Sequence, residues 1–159
     1  MTTRAEKLAS RLEQGANALA EYAGRLSDAQ WRMPLPGDGR PIGVVVHHVA
    51  SVYPIELDLA RTVASGRPIT GITYDDAIRT MNAKHAADNA KAPKKDTLEL
   101  LRLNSAAAAA AVRAFSDAEL DRAAEVSLNA DAPLTAQFVL EDHAVRHSYH
   151  HLEKIRAAV

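Results

Sequence analysis

The chain has 159 residues, close to the usual size of one domain, and at that length a compact fold buries roughly 70% of its unfolded surface. Lys plus Arg number 19 against 20 for Asp plus Glu, so the formal charge is −1, which leaves no basic excess to neutralise phosphates and argues against nucleic acid as a partner. With no cysteine, disulfides, thiolate metal sites, iron–sulfur clusters and a cysteine nucleophile are excluded, and any transition-metal chemistry falls to the 7 histidines. The charged, amphipathic start is unlike a secretory signal, so a cytoplasmic protein is expected. The longest unbroken apolar run, Ala106 to Val112, is far short of the roughly 20 residues that span a bilayer, so no membrane span is expected. Alanine accounts for 32 residues and aromatics for only seven, a balance that favours closely packed helices over sheets and predicts an all-α chain forming one domain, 1–159.

In chain order, Leu8, Leu12, Leu19, Tyr22, Ala23 and Leu26 recur at helical steps and predict an amphipathic helix over 3–26. Pro34, Pro36, Gly37, Gly39 and Pro41 make Trp31 to Pro41 a loop, with Trp31 as a lid on the core. A second helix opens at Pro41 and runs to Ser65-Gly66, its stripe built from Val45, His48, Val49, Val52, Glu56, Leu59 and Val63. Pro54 lies inside it and removes the hydrogen bond to the Ala50 carbonyl, so a kink or irregularity is expected there.

Thr73 with Asp76 resembles a capping box for a helix ending near Ala92, whose inward stripe is unusually polar: Ile78, Met81, Asn82, His85 and Asn89. Asp96 with Glu99 forms a second such pair, starting a helix through Leu101, Ala108 and Phe115. Ser116 to Glu119 caps one further short turn, and 123–134 reads as a loop. From Thr135 a last helix continues to the end, with His143, His147, His151 and Ile155 along one face.

Chemistry concentrates in that last helix. His143, His147 and His151 give two consecutive i, i+4 pairs, and side chains so spaced lean toward one point, as a metal with nitrogen ligands at about 2.0 to 2.1 Å requires. A third ligand must come from elsewhere, and His48 qualifies because it shares its helix stripe with Val45 and Val52, whereas His47 points roughly 100° away. A single histidine on an apolar face is usually a core residue bonded to a carbonyl. Several turned inward together form a buried polar cluster whose partners one cation supplies at once. Spacing alone leaves His143 able to replace His151.

Other chemistries lack their motifs. There is no His-Glu-x-x-His, no Gly-x-Ser-x-Gly, no phosphate-cradling glycine loop, no dinucleotide fingerprint and no Glu-x-x-His repeat of a di-iron bundle. Three neutral imidazoles leave a divalent ion its full charge and an open position, which suits a Lewis acid.

Trp31 with its proline-rich loop, the run Pro-Ile-Gly-Val-Val-Val-His-His-Val-Ala from Pro41, and His147-Ser-Tyr-His150-His151-Leu-Glu-Lys-Ile155 resemble the superfamily of DinB, YfiT and mycothiol-dependent maleylpyruvate isomerase, in order and over nearly the whole chain. The resemblance implies His48, before the small apolar pair Val49-Ala50, and the pair His147 and His151 as ligands of one divalent transition metal, zinc or nickel. His47, His143 and His150 become neighbours. It further implies an up-down-down-up four-helix bundle, with an additional helical segment before the third bundle helix, that is often a homodimer. The implied activity is that of a thiol-dependent S-transferase or isomerase using a low-molecular-weight thiol on a small electrophilic substrate. A metal-assisted hydrolase and a non-catalytic metal-binding or interaction protein are the alternatives. Despite the family name, no DNA binding is implied.

Around the trio, Asn82 and His85 are candidates to bind a polar substrate and Arg146 an anionic one, with solvated or interface positions as the ordinary alternative. Asp142, next to His143, is the candidate carboxylate to hold an imidazole proton from outside the coordination sphere. Glu56 lies two turns from His48 and is expected at the rim or in an ion pair.

Overall fold

The structure, a computed structural model, describes residues 3–159. Four long helical elements form the bundle: α1 (Arg4–Arg25), α3 (Ile42–Ala64), α5 (Lys94–Arg113) and a composite last helix. That last element joins α7 (Ala136–Val139), a π-helical segment (Leu140–Val145) and α8 (Arg146–Ala158). Short α2 (Asp28–Arg32) precedes α3, and α4 (Arg79–Asp88), entered through a π turn at Tyr74–Ile78, precedes α5. After α5 come α6 (Asp117–Asp121) and an antiparallel hairpin of β1 (Ala123–Val126) and β2 (Ala132–Thr135).

Side-chain contacts fix the directions. Arg113 near the end of α5 bonds Glu6 and Glu13 near the start of α1, at 2.8 to 3.2 Å, so those helices are antiparallel. Arg122, just past α6, donates to the Ala64 carbonyl at the end of α3, so α3 and α5 finish at the same end of the bundle. Tyr149 of α8 donates to the Arg11 carbonyl, and Arg156 lies over the Tyr22 ring, so α8 runs with α1. The order is therefore up-down-down-up, with α4 as the additional segment before α5.

Why α3 occupies the middle is plain from its residues. Ile42, Val45, Val46, Val49, Ala50, Tyr53, Leu57, Ala60 and Val63 are all buried. It is the one helix among the described residues long and apolar enough to cross a bilayer, and 67% of that stretch is buried inside the protein. Pro54 does not break it: the helix is continuous through the proline. The Ala50 carbonyl, which loses its i+4 donor, accepts instead from Asn104 Nδ2 of α5 at 2.8 Å. Five residues beyond His48, the fully buried Tyr53 hydroxyl meets Ser148 Oγ of α8 at 2.6 Å, so a buried polar bond sets the register of the two histidine-bearing helices.

Several local expectations are corrected. The segment before the prolines is partly helical, because Ser27 and Gln30 form a reciprocal capping box and open α2. Asp96 is no cap: α5 begins two residues earlier behind Pro93, and Asp96 sits in its first turn, where a negative charge suits the helix dipole. Thr73 makes no side-chain capping bond, and the chain enters α4 through a wide π turn. The supposed loop 123–134 holds the hairpin, and Ile69 extends it by pairing with Val126 in parallel. Ser116 caps its short turn as expected, accepting from the Glu119 N–H, and the last helix starts behind Thr135, whose side chain accepts from the Phe138 N–H.

Trp31 is buried (7% exposed) and does more than cover the core. Its Nε1 donates to the Ala92 carbonyl at 3.1 Å, tying α2 to the entry of α5, and its indole lies flush on Gly43 in the first turn of α3. A Cβ at Gly43 would stand 2.2 Å from Trp31 Nε1 and 2.3 Å from Cε2. Gly43→Ala is therefore expected to cost about 2 kcal/mol or more through forced displacement of the ring, lowering Tm by about 5 °C or more in thermal denaturation. An unchanged Tm would show that the ring moves freely.

Candidate metal centre

Three imidazoles converge between α3 and α8. His48, His147 and His151 each offer a ligand atom, and these atoms all lie within 4.8 Å of one another. Ring centroids are separated by 5.0 Å for His48 and His147, 4.9 Å for His147 and His151, and 5.8 Å for His48 and His151. His48 thus sits against both histidines of α8, nearer His147 than His151, and Glu56, two turns on along α3, also reaches His147.

That placement corrects the expectation for Glu56 at the rim. It is buried, with 6% of the residue exposed, and its Oε1 accepts a hydrogen bond from His147 Nδ1. A carboxylate on Nδ1–H fixes the tautomer and leaves Nε2 as the lone-pair nitrogen, the arrangement found behind metal-ligating histidines. Asp142 does not take this role. Its carboxylate accepts from Arg146 Nε at 3.0 Å and lies 3.9 Å from His143 Nε2, beyond hydrogen-bonding reach.

The π-helical segment explains why His143 stands apart from the other two. Within 140–145 the backbone is wound i to i+5, so the even four-residue stepping that a continuous α-helix would give is interrupted between His143 and His147. His147 and His151 both lie in regular α8 and keep their one-turn relation. His143 instead lines the cavity next to the trio, with Nε2 buried and without a partner among the described residues. His150 is exposed and touches His151 edge-on, with centroids 5.1 Å apart.

Electrostatics favour the neutral form of His48 and His151. Burial, reinforced by His147, pushes His48 down to about 3 and His151 to about 2, and burial also lowers His143. Neutral imidazoles with free lone pairs are the form a cation needs. His151 Nδ1 and Glu56 Oε2 are also buried with no partner among the described residues. The donor set and these orphaned atoms are compatible with one bound metal ion.

The cluster forms one wall of a cavity of about 300 Å³. Asn82 reaches it from α4 with its Oδ1 buried and without a partner among the described residues, as its place on the polar stripe suggests. Arg146 stands at the mouth, 56% of its side chain exposed and paired to Asp142. His85 is elsewhere: its Nε2 is 2.9 Å from His47 Nδ1, and its ring lies against His48 at 5.5 Å, so it backs the trio rather than lining the cavity. The main residues that sequence reasoning missed are Glu56 on His147 and the pair Asp38 and Arg40 at the cavity edge. A carboxylate on the same inward helix stripe as His48 was the available signal for the first.

A four-helix bundle of this order, with a three-histidine cluster opening into a cavity between its second and last long helices, defines the class. Residues 11–155 match the sequence model of the DinB superfamily, and the chain belongs to that family. It is similar in structure to YfiT from Bacillus subtilis, a probable metal-dependent hydrolase with an unusual four-helix bundle topology. The TM-score is 0.76 at 21% identity, over 99% of this chain and 86% of that one. It is also similar to a mycothiol-dependent maleylpyruvate isomerase, with a TM-score of 0.70 at 14% identity, over 96% of this chain. The chain spans only 61% of that protein's length. No functionally curated protein matches the chain in sequence.

If Glu56 orients His147, its removal weakens metal binding without touching a ligand. Glu56→Ala is expected to reduce affinity for zinc or nickel by about 10- to 100-fold in competition with a chelator, and Glu56→Gln, which keeps an acceptor, by less. Equal affinity in Glu56→Ala and the parent would remove Glu56 from the site.

Proposed function

We infer that the protein is a divalent-metal-dependent enzyme acting on a small electrophilic substrate, as a thiol-dependent S-transferase or isomerase, with zinc or nickel held by His48, His147 and His151. The observation that carries this reading is the convergence of three ligand atoms within 4.8 Å at the wall of a cavity large enough for a small molecule. A divalent ion there supplies Lewis acidity, lowering the pKa of a thiol or water and polarising an electrophile. The chain's own contribution is positional. Glu56 orients His147, burial holds His48 and His151 unprotonated, and Val52, Leu59 and Met81 exclude water from one side of the cavity. The chain has no cysteine, so a sulfur nucleophile must arrive with a cosubstrate.

Hydrolysis is the second reading, favoured by the likeness to YfiT and by the buried Glu56 Oε2, which has no partner among the described residues and lies at the cavity wall. Metal-loaded protein should conjugate a generic electrophile with mycothiol, bacillithiol or glutathione, and lose that activity on chelation. Ester hydrolysis without thiol, and no conjugation, would favour the second reading. Absence of both with metal bound would leave a binding protein.

A further inference from the structure

Residues 33–41 form a rigid turn at one edge of the cavity. Pro34 bridges Pro41, the Leu35 N–H donates to the Arg40 carbonyl at 2.8 Å, and the Gly39 N–H returns to the Leu35 carbonyl at 2.8 Å. Gly37 and Gly39, at φ of 76° and 83°, supply the left-handed conformations that close it, and Leu35 pins it to the core. The turn holds one ion pair. Arg40 Nε donates to Asp38 Oδ1 at 2.6 Å and Nη2 to Oδ2 at 2.7 Å, with 18% and 13% of the two side chains exposed. This bidentate contact fixes the plane of the guanidinium.

The remaining nitrogen, Nη1, is buried and has no acceptor among the described residues. Arg40 lines the same cavity as His48 and His151, near enough that its charge acts on both rings. A buried donor left unpaired carries its full desolvation cost, so a guanidinium edge pre-positioned this way calls for an oxygen from outside the chain. Arg146, the cation that sequence alone singled out for an anion, is exposed and already occupied by Asp142. Apolar side chains line the same cavity: Val52, Ile55, Leu59, Met81 and Leu128.

We propose that Arg40 is the carboxylate anchor of this cavity. The protein takes small organic acids whose carboxylate accepts from Arg40 Nη1, on the side of the cavity that holds His48 and His151, and whose short carbon chain packs on the apolar lining at Val52 and Met81. Any reaction at the end of the acid beside the histidines rests on the proposed metal centre; the contact with Arg40 does not.

Hexanoate and its neutral counterpart hexanamide serve as probes, titrated calorimetrically into the protein as purified and again after metal removal. The Nε–H NMR resonance of Arg40 is followed in parallel. Hexanoate is expected to bind about tenfold or more tightly than hexanamide and to shift that resonance, because one charge-assisted hydrogen bond is at stake. The preference should vanish in Asp38→Asn combined with Arg40→Gln, which removes both charges so that neither is buried alone, and persist in Arg146→Gln. Equal affinity for acid and amide, no binding of hexanoate, or loss of preference in Arg146→Gln alone overturns the proposal. Should the double variant fail to fold, the Arg40 resonance of the parent decides, and its failure to move on saturation with hexanoate is an overturning result. A cluster that holds no metal would sink the function inferred above while leaving the metal-free titrations able to decide this one.

Discussion

His48→Ala and His151→Ala are each expected to weaken binding of zinc or nickel by more than about 100-fold, since losing a ligand must exceed the 10- to 100-fold cost of losing a residue that only orients one. His150→Ala and His143→Ala should fall well short of that. His150 is exposed and meets His151 edge-on at the cavity lining, while His143 sits in the π-helical segment, and neither belongs to the cluster of three. The contrast between neighbouring positions controls for a general loss of folding, because His150 and His151 share a helix and differ in facing. Chelator competition with elemental analysis measures it. Comparable losses for His150→Ala and His151→Ala would mean that the ion, if held, is held elsewhere.

The second large effect is on acid stability of the metal-free protein. His48 and His151 are held at about 3 and about 2 by burial and by His147, against about 6.5 in an unfolded chain. The folded state thus binds fewer protons than the unfolded one, so stability is complete above pH 6.5 and falls as pH drops toward 3. Each such histidine contributes a slope of about 1.4 kcal/mol per pH unit, and the pair amounts to a few kcal/mol by pH 5. His143, His47 and His85, also lowered by burial, act in the same direction. Urea midpoints of chelator-treated protein should therefore fall steeply between pH 7 and pH 5, before most carboxylates titrate. Metal that binds only the folded form should raise the midpoint at pH 7 by mass action. A midpoint flat across that range would show that these rings are not buried neutral.

Much of the fold was legible because helical periodicity is local. The stripe of Leu8, Leu12 and Leu19 and that of Val45, Val49 and Val52 placed α1 and α3 to within a residue or two at each end. The hairpin was not legible, and the reason lies in its residues. Ala123, Ala124 and Ala132 carry little strand preference, and the connection through Asn129, Ala130 and Asp131 lacks the glycine that marks a tight turn, although Ala130 and Asp131 both adopt positive φ, 56° and 58°. Its strands exist because Ile69 pairs alongside and Val126 is buried, contacts no local pattern encodes. The site divides the same way. His147 and His151 were visible as one turn of one helix, whereas the meeting of Glu56 with His147 and the fork of Arg40 on Asp38 depend on where separate segments cross.

One consequence follows from the wide winding at 140–145. That stretch acts as a phase adjuster: it absorbs extra chain so that Ala144 and Val145 stay in the core while the next turn delivers its imidazoles to α3. Deleting a single residue there would let the coil tighten to ordinary pitch with the turns on either side kept in phase, whereas a deletion within α8 would rotate everything beyond it by about 100°. A one-residue gap between relatives at 140–145 would therefore alter the facing of His143 while leaving His147 and His151 aimed at α3.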